Sequence, residues 1–143
     1  MIDDDVVLAV LMDRARADHQ AWINGDASGY ALPEDGTILG AVGGYAHGGA
    51  ETAERQALVA AQWRRGTGDV ELINGGASAD LAWVTFIERS RVVLAGAEDE
   101  RRWDLRVTEI FRNDGGEWQR VHRHADPLVD RRSVTAAAAL LDE

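Results

Sequence analysis

The sequence has no cysteine and no lysine. Without cysteine there is no disulfide, no thiolate nucleophile and no cysteine-bound zinc. Without lysine there is no side-chain amine for a Schiff base. All fifteen basic residues are therefore arginine. Either GC-rich coding or bidentate anion binding by guanidinium groups accounts for that bias. Positive charge is scarce as well: 25 acidic residues leave a net charge of −10 and a pI near 4.8. That balance argues against nucleic acid, which needs a basic face to displace counterions, and against an anionic membrane surface. No apolar run approaches the roughly 20 residues of a membrane-spanning helix. Asp3, Asp4 and Asp5 stand where a secretory signal would be basic, so the expected location is the cytoplasm. GxSxG, HExxH and P-loop motifs are all missing, and Gly40, Gly43 and Gly44 lack the strand–glycine–helix setting of a phosphate loop. No cofactor and no metal are expected.

What is present fits one domain over residues 1–132, followed by a tail, 133–143, that is either frayed or a short helix. A chain of 143 residues buries roughly two thirds of its unfolded surface, enough for a true core. Asp3 to Ile23 reads as an amphipathic helix, with Leu8, Leu11, Ala15, His19 and Trp22 on one stripe. The aspartates cap its start, and Asn24-Gly25 stops it. Asp26 to Leu32 predicts a short helical turn, Thr37 to Leu39 a short strand and 41–50 a glycine-rich loop. Glu51 to Arg65 predicts a second amphipathic helix, ended by Gly66 and Gly68.

Beyond that point the period changes from helical to alternating. Four strands are expected: Asp69 to Asn74, Leu81 to Val93, Arg101 to Arg112 and Trp118 to Ala125. Gly75-Gly76, 95–100 and 113–116 supply the turns. Strands this long bend and carry bulges, so a curved antiparallel meander wrapped over the helices is expected, an α+β fold.

Alternate strand residues share a face. On the last strand Trp118, Arg120, His122, His124 and Asp126 share one parity. On the third, Asp104, Arg106, Thr108, Ile110 and Arg112 oppose the largely apolar set Trp103, Leu105, Val107, Glu109 and Phe111. The apolar set belongs on the packed face. The charged set faces either solvent or a polar pocket. In a pocket, Arg106 would need Glu88, Asp126 or a ligand anion as partner. His122 and His124 are either structural histidines or proton-transfer groups, since imidazole titrates near neutrality; with Asp126 they could also ligate a divalent metal, but no third and fourth ligand stand out in the sequence. Glu88 is a general base if it points inward and a surface charge if outward. Tryptophan outnumbers tyrosine and phenylalanine. Trp22, Tyr30, Trp63 and Trp83 therefore either fill the core or line a pocket for a flat apolar ligand.

The run from Leu105 through Glu117-Trp118-Gln-Arg-Val-His122-Arg-His124 to Pro127 resembles the last two strands of SnoaL-like, ketosteroid-isomerase-like proteins of the nuclear transport factor 2-like superfamily. The small bacterial members end in a similar W-x-x-V-H-x-H strand, and the calmodulin-dependent kinase II association domain ends alike. Trp22 to Asp26, Gly36 to Gly44 and Leu81-Ala-Trp83 extend the likeness over about residues 4 to 130. The resemblance implies a cone-shaped, cystatin-like cup with a small-molecule pocket at its open end, and a homodimer. It points to Arg106, Thr108, His122, His124 and Asp126, with Glu88 one strand away, as the pocket's polar set. It implies either cofactor-free isomerase, cyclase or dehydratase chemistry, or a non-catalytic ligand-binding or dimerisation module.

Overall fold

The structure is a computed structural model that describes residues 3–142. Helix α1 (Asp4–Trp22) starts where the Asp3 carboxylate accepts the Asp5 and Val6 backbone N–H groups. Two more aspartates in its first turn favour the positive end of the helix dipole. It ends at Gly25, whose φ of 98° suits glycine alone. A 3-10 turn (Ser28–Tyr30) follows, then strand β1 (Thr37–Leu39), β2 (Ala46–His47) and helix α2 (Gly49–Ala60). Five further strands complete the sheet: β3 (Trp63–Ala77), β4 (Leu81–Leu94), β5 (Glu100–Arg102), β6 (Leu105–Asp114) and β7 (Glu117–Pro127). A short exposed helix, α3 (Val134–Ala138), occupies the tail, capped by the Ser133 hydroxyl.

The sheet order is β2-β1-β7-β6-β4-β3, with β5 on the end of β4. The four expected strands form the antiparallel centre, and the short ones extend it to seven. One pairing departs from the expected meander: β1 runs parallel to β7. Register shifts interrupt β3 between Trp63 and Arg65 and again between Leu72 and Asn74, and β6–β7 at Ile110/Phe111. Such bulges bend strands and increase their twist, which curves this sheet around the helices.

Three boundaries differ from the sequence reading. The second helix stops at Ala60, not Arg65, and Trp63 opens β3. The Gln62 carbonyl accepts the Ala95 N–H there, so pairing with the end of β4 outcompetes helix propensity. Gly75 and Gly76 lie inside β3 opposite Val84 and Trp83, and Ser78 closes the turn by accepting from Asp80 and Leu81. The third expected strand is two, because Trp103-Asp104 breaks it.

The concave face holds the core. Leu11, Met12 and Ala15 of α1 pack on Val70, Val84, Phe86, Val107 and Phe111. A second cluster joins Trp22, Ile23, Tyr30, Ala60, Trp63 and Val92. Close approach of α1 to β3 requires glycine at position 68, where a Cβ would stand 2.7 Å from Ser90 Oγ and 3.2 Å from His19 Nε2. Among the described residues no helix is long and apolar enough to cross a membrane.

Candidate functional site

Alternation in β4 turns Ala82, Val84, Phe86, Glu88, Ser90 and Val92 inward. In β6 it turns Leu105, Val107, Glu109 and Phe111 inward. Glu88 and Glu109 are thus carried into the core on strands that are otherwise apolar on that face. On β7 the alternation is broken. Ile110 pairs with His122 and Phe111 with Arg120, so Val121 is an extra residue. Trp118 and Arg120 face inward before it, and Arg123 and Ala125 face inward after it.

The result is a buried ionic cluster. Arg123 donates from Nη2 to Glu88 Oε1 at 2.9 Å and from Nη1 to Glu88 Oε2 at 3.1 Å and Glu109 Oε2 at 2.9 Å. Arg120 sets Nε 3.0 Å from Glu109 Oε2, and its Nη1 donates to Asp18 at 3.0 Å and to the Gly29 carbonyl at 2.8 Å. Both guanidinium groups lie against the Tyr30 ring, 4.7 and 5.0 Å from its centroid. His19 of α1 closes the cluster, with Nε2 2.6 Å from Ser90 Oγ and Nδ1 3.5 Å from Glu88 Oε1. Glu88, Glu109 and Arg120 are wholly buried, so each charge depends on its partners.

Those partners set the protonation states. Burial pushes the Glu88 carboxyl up, but Arg123, His19 and Arg120 more than offset it and hold it below the usual carboxylate range. Burial lowers the His19 imidazole despite the adjacent Glu88, so His19 is neutral near pH 7. Burial also opposes the charge on Arg123, yet Glu88, Tyr30 and Glu109 raise its pKa above the ordinary arginine value. A glutamate held ionised by a bidentate guanidinium is a structural anion and a poor proton acceptor.

Beside this cluster lies a cavity of about 220 Å³. Trp22 of α1 and Trp103 form one wall, Gln56 and Val59 of α2 another, and Leu105, Arg123 and Ala125 belong to the sheet wall. The glycine-rich segment 40–46 and Arg55 also line it. Val42 and Tyr45 of that segment are largely exposed. The indole N–H groups of Trp22 and Trp103 are buried and find no acceptor in the protein. Among the described residues the cavity wall includes no carboxylate and no imidazole. Nor do the described residues group three histidine or acidic side chains where a metal could bind.

Most of the residues expected from the sequence stand elsewhere. Arg106 and His124 lie on the outer, convex face and are 62% and 52% exposed in their side chains. Arg106 forms a bidentate pair with Asp126, Nε to Oδ1 at 2.7 Å and Nη2 to Oδ2 at 2.8 Å. Thr108 shares that face and meets Thr85 at 3.3 Å. These residues, with Ile73, Ile87, His124 and Asp126, border an open groove separate from the cavity. His122 is half-buried, and its Nδ1 lies 2.7 Å from the Thr37 hydroxyl of β1. Burial and the neighbouring His124 lower its pKa. Trp83 is on the outer face too. The expected cluster of His122, His124, Asp126 and Arg106 therefore does not reach the concave side: Val121 reverses the parity of β7 beyond Arg120, and Arg106 alternates with the inward-facing Leu105 and Val107 of β6. Of the other expected residues, Trp22 lines the cavity, while Glu88, Tyr30 and Trp63 are core. Arg123, Glu109, Arg120 and His19 were not anticipated as a cluster. The signals for it were Glu88 and Glu109, each a carboxylate within an apolar parity set.

No protein-family model and no curated protein matches the chain. Solved structures do. A candidate dehydratase of the nuclear transport factor 2-like family from Streptomyces avermitilis superposes with a TM-score of 0.76 at 16% identity, over 89% of this chain and 99% of that one. A ketosteroid isomerase-like protein from Erwinia carotovora atroseptica gives 0.72 at 21% identity, over 85% and 96%. A protein with a cystatin-like fold from Caulobacter vibrioides gives 0.62 at 16% identity, over 95% and 96%. With helices α1 and α2 lying over a curved, unclosed mixed sheet, the chain has the nuclear transport factor 2-like, cystatin-like α+β fold.

Proposed function

We propose that this protein binds a small, mainly apolar molecule in the cavity between α2, the glycine-rich segment and the concave face of the sheet. The supporting observation is a cavity of about 220 Å³ walled by Trp22, Val59, Trp103, Leu105 and Ala125 that carries polar groups at only a few points. Ligand sites have that character: mostly apolar walls with a few placed polar groups. Binding is favoured over acid–base turnover. A general base must come within hydrogen-bond reach of the proton it takes, and the wall's ionisable side chains are Arg55, Arg123 and the exposed Tyr45. Glu88 sits behind Arg123 as that residue's counter-ion. A thermal-shift screen of aromatic and alicyclic compounds, followed by mass spectrometry of the mixtures, tests this reading. Hits should raise the melting temperature and come back unchanged in mass, and Val59→Trp, which fills the cavity from a half-buried helix position, should abolish the shift. Conversion of a hit to product would replace the binding reading with an enzymatic one.

The outer face supports a homodimer. Ile73, Leu81 and Trp83 expose apolar surface there, 59%, 51% and 42%. Two ion pairs on this face are internal, Arg106 with Asp126 and Arg89 with Glu71. A second copy of a chain with net charge −10 docks with least repulsion where local charge is balanced. Sedimentation should give a dimer that Trp83→Glu converts to a monomer. A wild-type monomer at high concentration would refute the dimer.

A further inference from the structure

Helix α3 and the 3-10 turn that continues it, Ala139–Asp142, leave every one of their residues exposed. Val134 is 87% exposed and Leu141 88%, and with Ala137 and Ala138 they repeat at i, i+3, i+4 and i+7, an apolar stripe on one side of the tail. These five and four residues fall short of the roughly 12–15 that an isolated helix needs in water. The tail therefore draws its order from a surface that covers the stripe, and its own domain leaves the stripe bare. A second bare apolar surface lies at the tail's root. Strand β7 ends at Pro127, one residue past Asp126, and Asp126 borders the outer groove together with Arg106, Ile87 and the exposed Ile73. From Asp126 on β7 to Ile73 on β3 the groove crosses β6 and β4, three strand spacings or about 14 Å. Five α-helical and four 3-10 residues extend about 15 Å. The stripe and the groove thus match in length and in apolar character.

We infer that the tail is an exchanged arm: residues 133–142 of one copy lie across the outer groove of a second copy, with Leu141 against Ile73 and Ile87. This rests on the homodimer reading above and names what fastens it. The partner is a second copy because the chain's own tail stands off its own groove. To reach that groove, the linker 128–132 would have to double back from Pro127 over the strands it has just left, within a reach of about 17 Å. A two-fold dimer puts both grooves and both tail roots on the shared face, so the two arms exchange equivalently. Arg131 and Arg132, both exposed, lead each arm toward a partner of net charge −10, which favours the approach.

The absence of cysteine makes the contact directly testable. The double variant Leu141→Cys with Ile73→Cys, oxidised in air and run on a non-reducing gel, should give a covalent dimer, while each single variant stays unlinked. A disulfide closed within one chain, no disulfide at all, or single variants that link as fast as the pair would each overturn the exchange. So would faster linking of Leu141→Cys to Tyr45→Cys, which would put the tail at the cavity instead. Sedimentation of the full chain supplies the energetic test. Removing residues 133–143, or introducing Leu141→Glu, should raise the dimer Kd at least tenfold, as expected for uncovering a leucine side chain. The melting temperature of the domain should hold in both, because these residues are exposed. A wild-type monomer would sink the dimer reading and this inference together. A dimer that survives loss of the tail undiminished would overturn the arm and leave the dimer standing.

Discussion

Replacing Arg123 by methionine keeps an unbranched apolar side chain and removes the guanidinium that bridges Glu88 and Glu109. Three charge-assisted hydrogen bonds disappear, those of 2.9, 3.1 and 2.9 Å. Both glutamates remain wholly buried. Breaking a buried pair by deleting one partner costs about 3–5 kcal/mol, because the other charge is left uncompensated. With a urea slope of about 2 kcal/mol/M, the unfolding midpoint should fall by roughly 2 M. The loss also carries a pH signature. In the native protein Glu88 lies below the usual carboxylate range because Arg123 outweighs burial together with His19 and Arg120. In Arg123→Met burial goes largely unopposed, so the folded-state pKa of Glu88 moves above its unfolded value. A raised folded pKa contributes stability that is present below the unfolded pKa and is lost as pH rises. The deficit of the variant should therefore widen from about pH 4 to about pH 7. Adding Glu88→Gln in the same chain should restore part of the loss, with a coupling of about 1–3 kcal/mol. Urea titrations followed by tryptophan fluorescence at several pH values read all three effects. A loss under about 1 kcal/mol, or one constant with pH, would refute the assignment of Arg123 as the charge that holds these glutamates.

The remaining predictions concern residues around that cluster and on the opposite face. His19 has a depressed folded-state pKa, so stability is complete above about pH 6.5 and falls as the unfolded chain takes up a proton, by at most ~1.4 kcal/mol per pH unit. His19→Gln should flatten the melting-temperature profile between about pH 7 and pH 5.5, leaving a smaller slope from His122, which has the same sign. Gly68→Val should destabilise by about 1–3 kcal/mol in denaturant titrations, since its side chain would enter the 2.7 Å contact with Ser90 and displace His19. Arg106→Ala removes a solvated ion pair and His124→Ala an exposed imidazole from the convex face, so each should shift stability by less than about 1 kcal/mol and leave probe affinity in the cavity unchanged. A large loss of probe affinity in either variant would return the site to the outer groove.

The fold was legible because its long strands announce themselves. Leu81 to Val93 alternates and matches β4 almost residue for residue, and the apolar parity of Leu105, Val107 and Phe111 placed β6 correctly on the core. The Asp3 cap and the Asn24-Gly25 stop bounded α1. The end of α2 was not legible. Its alanine-rich run continues the helical period to Trp63, and only pairing of the segment from Trp63 onward with the end of β4, a contact made about thirty residues downstream, decides otherwise. The short β1 and β2 depend on the same kind of distant partner. The facing of the late β7 residues turned on one residue of geometry. Gln119 to Asp126 is polar on both parities except for Val121 and Ala125, so no hydrophobic alternation marks where the bulge falls. One extra residue then exchanges the faces of His122, Arg123, His124, Ala125 and Asp126. Glu88 and Glu109, by contrast, lie on strands whose apolar alternation is intact, and a carboxylate in such a parity set calls for a buried cation. Arg120 and Arg123 are that cation pair, visible only once the bulge is known.

A ligand site on the concave face is reported on directly by the indole N–H resonances in proton–nitrogen correlation spectra. Five tryptophans give five such signals, of which Trp22 and Trp103 line the cavity while Trp83 lies on the convex face. Titration with an aromatic compound that raises the melting temperature should move the Trp22 and Trp103 resonances together and leave Trp83 in place. Movement of Trp83 with Trp22 and Trp103 unmoved would put the ligand on the outside of the sheet and contradict the account.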